Sequence, residues 1–322
     1  GRGLLADPEL PLKAMSGRLD EIRTCIACNT CMQSIFRKGR IECLVNPMLG
    51  REEEMAIIPT QNPKKVMVVG GGPGGMNVAW VAAKRGHTVQ MYEKRSVLGG
   101  QLVPGSTPGH KKELRSLIRF QIRQTELYGV KCHLNHEVTA KDVEALDPDV
   151  VVLATGSLPA MPPVQGTTKE IVLTYEDVLN GGPIPSNRVV VVGGGPTGLE
   201  LALYLTDQGC SVTIIEMLPK IGNGMESVTK KVILNKLKKG GAAILTDTRL
   251  YRIEDNGVVV VNQDNREKFI KAEKVVIATG TKPDTKLYDK IKPLGYKIYQ
   301  IGDCLEPRSA KDAIYDSAVL GR

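Results

Sequence analysis

The sequence is poor in aromatic residues, which make up 4% of its 322 residues and include one tryptophan and three phenylalanines. Proteins that bind single-stranded nucleic acids stack the bases on aromatic rings, and this composition offers no such platform. The formal charge is +8, but the 43 lysines and arginines are scattered among 35 acidic residues. Because nucleic-acid binding requires a clustered basic surface, the composition argues against a nucleic-acid partner.

Long apolar runs are also missing. No run approaches the roughly 18 residues that a membrane-spanning helix requires, and the first residues lack the pattern of a signal peptide. We therefore expect a soluble, cytoplasmic chain of about two domains without a membrane partner. The chain begins without methionine, at GRGLLADPEL, whose apolar letters suggest a short strand. This beginning predicts a piece of a longer protein.

The cysteines do not form the framework of a secreted protein. Their number is odd, seven, and four of them lie between residues 25 and 43. A disulfide-rich secreted domain has an even number at regular spacing, so a reducing compartment fits better. The other three, Cys132, Cys210 and Cys304, are isolated in the sequence, and we expect them to be buried small apolar residues.

Two glycine-rich loops repeat each other. KKVMVVGGGPGG at 64–75 and NRVVVVGGGPTG at 187–198 are both apolar strands that run into a glycine turn. Glu93 and Glu216 each lie 23 positions after the first glycine of their loop, and each ends a second apolar strand. The segments VVVLATGSLP and KVVIATGTKP, at 151–160 and 274–283, form a third matching pair. One such loop is weak evidence, but this duplication indicates two equivalent nucleotide-binding modules.

The loop glycines have separate roles in binding a dinucleotide. The first permits a tight turn, the second lets the backbone approach a pyrophosphate, and the third lets helix and strand pack closely. The helix that follows offers unpaired N–H groups to the phosphates, so no lysine is needed. Neither loop ends in GKS or GKT, which argues against phosphoryl transfer. Glu93 and Glu216 are placed to accept hydrogen bonds from ribose hydroxyls, and Glu216 favours NADH over NADPH by repelling a 2′-phosphate. The alternative is that each glutamate only ends a strand in solvent.

The elements between these motifs alternate between strand and helix. Apolar helices follow both loops, and KKELRSLIRFQIRQTELYG at 111–129 has the pattern of an amphipathic helix. This order predicts an α/β fold with two Rossmann-like domains built on parallel strands. Residues 248–271 break the alternation, because their short apolar runs are separated by turn residues. They predict a small antiparallel meander on the second module.

The four clustered cysteines have the spacing of a metal-binding segment. Two residues separate Cys25 from Cys28 and Cys28 from Cys31, and eleven residues separate Cys31 from Cys43. This pattern favours an iron–sulfur cluster. Structural zinc, which more often uses two separated CxxC pairs, and unligated thiols remain the alternatives. Arg37, Lys38 and Arg40 could offset the charge of a cluster or could form a solvated face. His133 and His136 have no third ligand nearby in sequence and are not expected to bind metal.

These motifs together resemble the C-terminal half of the iron–sulfur flavoenzymes typified by 2,4-dienoyl-CoA reductase, trimethylamine dehydrogenase and enoate reductase. The likeness extends over essentially the whole chain, from the cysteine segment with CLVNP at 43–47 to IYQIGDCLEP at 298–307. It implies a glutathione-reductase-like fold in which an NAD domain is inserted into a FAD domain. The implied divisions are a linker and iron–sulfur segment at 1–56, a FAD domain at 57–160 and 281–322, and an NAD(H) domain at 161–280.

The resemblance also assigns ligands to residues. The metal ligands are Cys25, Cys28, Cys31 and Cys43, for a 4Fe-4S cluster. The implied FAD contacts are Gly70, Gly72, Gly74, Gly75, Glu93, Gly100, Gln101, Val138, Thr155, Gly156, Gly302 and Asp303. The implied NADH contacts are Gly193, Gly195, Thr197, Gly198, Glu216 and Gly280. Disulfide reductases of similar fold carry a pair of cysteines close to the nucleotide motifs. This sequence has no such pair, so a thiol relay of that kind is excluded.

The function implied by this resemblance is oxidation of NADH and delivery of its electrons through FAD and the cluster. The receiver would be an FMN-binding barrel domain or subunit, almost wholly missing here, which reduces an enoyl or other alkene substrate. No catalytic side chain is predicted, because that substrate site would lie on the barrel. Two alternatives are an amine-dehydrogenase-like protein with structural ADP that passes electrons to a carrier partner, and a non-enzymatic electron-transfer or nucleotide-binding module.

Overall fold

The computed structural model describes residues 1–182 and 187–322, which form two compact units. The first unit comprises residues 1–106, 111–158 and 282–322, and the second comprises 107–110 and 159–281. In the described residues, no helix combines the length and the apolar character needed to cross a bilayer.

The strands of the described residues, in chain order, are β1 Lys65–Val69, β2 Thr88–Tyr92, β3 Lys131–His133, β4 Val150–Leu153, β5 Ser157–Pro159, β6 Val172–Thr174, β7 Arg188–Val192, β8 Ser211–Ile215, β9 Ala243–Leu245, β10 Arg249–Glu254, β11 Gly257–Val261, β12 Glu267–Lys271, β13 Lys274–Ile277, β14 Thr281–Pro283 and β15 Ile298–Gln300. The α-helices are α1 Arg2–Ala6, α2 Leu10–Met15, α3 Thr30–Phe36, α4 Pro73–Lys84, α5 Leu102–Gly105, α6 Leu114–Leu127, α7 Ala140–Leu146, α8 Tyr175–Leu179, α9 Pro196–Asp207, α10 Ser227–Lys239, α11 Lys286–Ile291 and α12 Ala310–Gly321.

Each unit contains a five-stranded parallel sheet of the same plan. The order is β15-β4-β1-β2-β3 in the first unit and β6-β13-β7-β8-β9 in the second. The loop strands β1 and β7 lie at the centre, where Val66 pairs with Val89 and Val150, and Val190 pairs with Thr213 and Val275. The predicted α/β fold with two Rossmann-like domains is therefore confirmed.

The central strands are apolar because both faces of each sheet are covered. Side chains alternate along a strand, so Val189 and Val191 pack with α9 on one face, while Val190 and Val192 pack on the other. That second face is covered by the antiparallel sheet β10-β11-β12. The meander predicted at 248–271 is present with these strands.

The cysteine segment packs against the first unit through a small apolar core. Ala6, Ile26 and Val45 from this segment contact Phe120 of α6 and Ile314 of α12. The strand expected at the beginning of the chain was wrong, because Arg2–Ala6 is a helix. Apart from Gly3, the residues of the run RGLLA are strong helix formers, and the helix buries Ala6 completely.

Candidate functional site

The first glycine of each loop must be glycine for conformational and steric reasons. Gly70 has φ +110° and Gly193 has φ +108°, a region that side chains rarely adopt. A Cβ atom at Gly70 would lie 2.2 Å from the carbonyl oxygen of Ala154, and one at Gly193 would lie 2.4 Å from that of Ala278. Each loop is therefore pressed against the end of the neighbouring strand.

The third glycine of each loop packs on the first. A Cβ atom at Gly75 would lie 1.8 Å from the oxygen of Gly70, and one at Gly198 would lie 1.9 Å from the oxygen of Gly193. The second glycine is different, because a Cβ atom at Gly195 would meet nothing within 4 Å. The backbone at this position is open, as the approach of a pyrophosphate requires.

Both loops lead into helices whose N-cap residue is glycine. The helices α4 and α9 begin at Pro73 and Pro196, and their N-cap residues are the second glycines, Gly72 and Gly195, which have no side chain to cap the helix. Thr197 lies exposed in the first turn of α9. A Cβ atom placed on Gly74 in α4 would lie 3.5 Å from the carbonyl oxygen of Ala313. Such helix ends suit a bound pyrophosphate, because the N–H groups and the helix dipole attract anions.

The two ribose-binding candidates are held in the same way. The Glu93 carboxylate accepts N–H bonds from Gly71 at 2.7 Å and from Arg95 at 2.8 Å. The Glu216 carboxylate accepts them from Gly194 at 2.7 Å and from Leu218 at 2.8 Å. A carboxylate can accept about four hydrogen bonds, so two acceptor positions are left on each for ribose hydroxyls. The reading of these glutamates as mere strand ends in solvent does not account for this shared geometry.

Asp303 is the residue that the second FAD motif assigns to flavin binding. Its carboxylate accepts hydrogen bonds from the hydroxyl of Ser157 at 3.2 Å and from the backbone N–H of Arg308 at 3.1 Å. The neighbouring Thr155 hydroxyl donates to the carbonyl of Asp284 at 2.8 Å. The ends of β4 and β15 thereby bring Thr155 and Asp303 to the same edge of the sheet as the first loop.

The remaining predicted nucleotide contacts are mostly turn glycines. Gly100 has φ +52°, and a Cβ on it would lie 2.7 Å from the Cα of Gly72, so it closes over the first loop. Gly156, Gly280 and Gly302 also have positive φ. Gln101 immediately precedes α5 and occupies its N-cap position, without a capping hydrogen bond from its side chain. Val138 is buried with Tyr92 in the core, which leaves only its main chain to meet a ligand.

The four clustered cysteines line one small cavity, together with Asn29 and Thr30. Positive φ values of 53° at Ala27 and 59° at Asn29 turn the chain twice between the first three thiols. The Ala27 N–H donates to Cys25 Sγ at 3.4 Å, and Cys28 Sγ lies 3.2 Å from the Thr30 hydroxyl. Left-handed backbone at alanine is strained by about 1–2 kcal/mol, which is typical of backbone shaped for a ligand.

The donor set at this cavity consists of four cysteine thiols. In the described residues, no group of three or more His, Cys, Asp or Glu side chains is arranged to hold a metal ion. A single zinc ion needs four thiolates about 2.3 Å from one point, whereas an iron–sulfur cluster is a larger body held at its corners. Four thiols that line one cavity are the donor set that such a cluster takes.

Arg23 is a candidate that the sequence analysis missed. Its Nε donates to the Ala6 carbonyl at 2.8 Å, and its guanidinium lies 5.5 Å from the Phe120 ring centroid. Burial raises the pKa of the Cys43 thiol, while the N–H groups of Asn46 and Val45 and the charge of Arg23 oppose this shift. A cation here would offset the charge of a thiolate-bound cluster. Arg37, Lys38 and Arg40, which the sequence offered for this role, are exposed.

The three other cysteines divide into two groups. Cys210 and Cys304 are buried, as predicted, but Cys132 is exposed, so the expectation that it is buried was wrong. It lies on β3, a three-residue strand at the edge of its sheet, where one face remains open to solvent. In the part of the chain that the structure describes, none of the seven cysteines is assigned to a disulfide.

His133 and His136 flank the ring of Tyr92. The His133 ring stacks on Tyr92 with centroids 4.5 Å apart, and the His136 ring meets it edge-on at 5.1 Å. His136 Nε2 lies 3.1 Å from the Asp142 carboxylate.

The chain contains two domains of one plan, each with a glycine loop and a glutamate anchored by backbone N–H groups. This arrangement is typical of oxidoreductases that pair a flavin domain with a pyridine-nucleotide domain. A sequence profile of the pyridine nucleotide-disulphide oxidoreductases matches residues 64–303, and the chain belongs to this family. Membership indicates binding of FAD and NAD(H).

Longer relatives match almost the whole chain. The NADH oxidase of Thermoanaerobacter brockii is 39% identical over 324 residues, which cover 98% of this chain and 50% of the relative. The cinnamate reductase of Clostridium sporogenes is 34% identical over 98% of this chain and 48% of its own length. A solved 2-naphthoyl-CoA reductase complex matches with a TM-score of 0.95 and 34% identity, over 99% of this chain and 49% of that one.

The chain thus spans about half the length of the curated relatives it matches. It corresponds to their C-terminal part, so the resemblance to the reductases and dehydrogenases with FAD, NAD and iron–sulfur segments is confirmed.

Proposed function

We propose that this chain is the NADH-oxidising, electron-delivering portion of an old-yellow-enzyme-like oxidoreductase. In this proposal FAD binds the first unit, NADH binds the second, and Cys25, Cys28, Cys31 and Cys43 hold a 4Fe-4S cluster. When bound, NADH supplies a hydride, FAD accepts it as an electron pair, and the cluster carries single electrons. The partner is an FMN-binding barrel domain or subunit that holds the organic substrate.

The observation that carries this proposal is the geometry of Glu216. Its carboxylate is anchored by Gly194 and Leu218, beside a loop whose second glycine is open. A protein that holds only structural ADP in its first unit would have no need of a second site built to the same geometry. The intact second site therefore favours NADH oxidation over the amine-dehydrogenase-like alternative.

The residues of this chain have binding and positioning tasks in the proposal. The backbone N–H groups of the two loops bind the pyrophosphates, and Glu93 and Glu216 hold the riboses. Asp303 accepts a hydroxyl hydrogen bond from the flavin side chain. The Val45 and Asn46 N–H groups, which face Cys43 Sγ, would tune the potential of a cluster through hydrogen bonds to sulfur.

Alkene reduction is the proposed overall reaction, with an unsaturated acid or its thioester as substrate. This part of the proposal is supported only by the class of reaction named for two similar proteins, the cinnamate reductase and the 2-naphthoyl-CoA reductase. The chain would provide electrons, and the barrel would choose the substrate.

Anaerobic titration of the purified full chain with NADH tests this function. We expect flavin absorbance near its visible maximum to bleach, followed by the broad cluster absorbance, with iron and sulfide bound to the protein. Recovery of ADP without flavin would favour the amine-dehydrogenase-like alternative. Bound cofactors that NADH does not reduce would leave a non-enzymatic electron-transfer or nucleotide-binding module, and the proposal would be wrong.

A further inference from the structure

A cavity of about 300 Å³ lies beside the fourth clustered cysteine and is bounded by two parts of the first unit. One wall is the Cys43 loop, with Glu42 and Arg51, and the other includes Lys311 and Tyr315 of α12. These walls are far apart in sequence but are joined by side-chain contacts.

The central contact is an ion pair between Lys311 and Glu42. The Lys311 Nζ lies 2.8 Å from Glu42 Oε2, with side-chain exposures of 30% and 34%. Glu42 directly precedes Cys43, so this bond acts on the backbone that carries the thiol. The other carboxylate oxygen lies 3.9 Å from Arg51, whose guanidinium lies 5.0 Å from the Tyr315 ring centroid.

Helix α12 is itself fixed to the first nucleotide loop. Asn77 of α4 is buried and donates from Nδ2 to the Ile314 carbonyl at 3.2 Å and to the Ser317 hydroxyl at 3.0 Å. Because α4 begins at the glycine loop, the loop, α4 and α12 form one connected body. Just before α12, the Arg308 N–H bonds Asp303.

We propose that Lys311 is a positioning residue for Cys43, which it fixes relative to the FAD-binding loop through Glu42. This inference rests on the proposed function in assigning Cys43 to the cluster. The first three cysteines lie on one short segment that contains its own turns, whereas eleven residues separate Cys31 from Cys43. Its place therefore depends on outside contacts: the Lys311 pair on one side, and on the other the bond from Asn46 Nδ2 to the Leu5 carbonyl at 2.9 Å.

The first arm of the test measures hydrogen exchange in the metal-free full chain. Lys311→Met should raise amide exchange in the peptide covering 41–47 roughly three- to fivefold, the effect expected for a partly buried ion pair. Exchanging the charges, Glu42→Lys with Lys311→Glu, should restore slow exchange. Lys169→Met is the matched control, because it breaks an ion pair of 2.5 Å with Asp255 in the second unit.

The second arm measures the midpoint potential of the cluster in anaerobically purified protein. Nearby charge shifts the potential of a cluster, so Lys311→Met should lower it and Glu42→Gln should raise it. If Lys311 and Glu42 had only a general structural role, the midpoint potential would not shift in opposite directions in Lys311→Met and Glu42→Gln.

The outcomes separate this inference from the proposed function. The proposed role of Lys311 would be wrong if Lys311→Met showed the wild-type rate of amide exchange at 41–47. It would also be wrong if all variants had the same midpoint potential. A wild-type chain without iron would instead count against the proposed function, and the exchange arm would still decide whether Lys311 holds the loop.

Discussion

The carboxylate of Glu216 accepts the backbone N–H of Gly194 at 2.7 Å, and Glu93 accepts that of Gly71 at the same distance. In both units the bond ties the end of the second strand to the glycine loop. The loop and the glutamate are therefore one rigid site, pre-arranged for a pyrophosphate and a ribose together.

Glu216→Gln should weaken NADH binding by about ten- to hundredfold, because an amide has one oxygen to share between two backbone N–H groups and the ribose. The substitution also removes the charge that repels a 2′-phosphate, so the preference for NADH over NADPH should narrow. Isothermal titration with both nucleotides measures these effects. Glu93→Gln is the matched control and should weaken FAD retention while NADH affinity stays unchanged. Equal effects of both variants on NADH would refute the assignment of the two sites.

Two alanine substitutions in the second loop should behave oppositely. Gly198→Ala puts a Cβ 1.9 Å from the Gly193 oxygen, so the free energy of unfolding should fall by about 3 kcal/mol or more. Gly195→Ala meets no atom within 4 Å, and its φ is −73°, so the fold should be unchanged. NADH binding should nevertheless be lost, because the methyl group occupies the approach of the pyrophosphate. Denaturant unfolding and NADH titration separate the two. Tight NADH binding by Gly195→Ala would place the pyrophosphate elsewhere.

Asp7 should make the first unit sensitive to acid. Its buried carboxylate accepts bonds from Lys13 Nζ at 2.8 Å and from the Arg23 N–H at 2.8 Å. Burial alone would raise the pKa of Asp7, but these bonds and the charges of Lys13 and Arg23 lower it below the usual value. A lowered folded-state pKa stabilises the fold above the unfolded-state pKa near 3.9, and this stability is lost as the pH falls through the folded-state pKa.

The corresponding variant is Asp7→Asn, which should lower the free energy of unfolding at neutral pH by about 1–3 kcal/mol. In this variant the free energy of unfolding should also fall less steeply as the pH drops below 4. Asp255→Asn serves as control, since that side chain is 89% exposed and its ion pair should contribute little. Identical denaturation curves for wild type and Asp7→Asn across this pH range would disprove the role of the carboxylate.

Cys43→Ser should abolish stable iron binding, because a hydroxyl is a poor replacement for a thiolate ligand of iron. Iron and sulfide analysis of anaerobically purified protein, with the visible spectrum, measures this. Cys132→Ser is the control: its thiol is exposed on an edge strand, away from the cavity lined by the four clustered thiols. If Cys43→Ser retained full iron, the fourth ligand would have to be another residue.

The same substitution, alanine to glycine, should have opposite effects at two positions. Ala27 has φ +53°, so Ala27→Gly should raise the free energy of unfolding by about 1 kcal/mol through relief of strain. Ala83 lies inside α4, where glycine costs about 0.5–1 kcal/mol. Thermal unfolding of the metal-free chain compares the two. Destabilisation by Ala27→Gly would show that the turn at Ala27 is not strained.

Motifs whose spacing is local were predictable from the sequence. The glycine loops, Glu93 and Glu216 each lie on one βα unit, where backbone geometry fixes the distance from loop to strand end. Cys132 was predicted wrongly because a single apolar residue does not reveal whether its strand is central or at an edge. Arg23 and Lys311 have no motif at all, and their importance depends on residues that the fold brings beside them.

The sequence by itself determined the duplicated nucleotide-binding plan, the cysteine spacing and the choice of glycine at each loop, because these depend on steric limits within short segments. Tertiary structure alone decided which charges face the cysteines and what holds Cys43. Lys311 and Glu42 are 269 positions apart, and only the packing of the cysteine segment on α12 brings them within hydrogen-bonding distance. Contacts of that range follow from how helices and loops pack, which no local pattern of residues encodes.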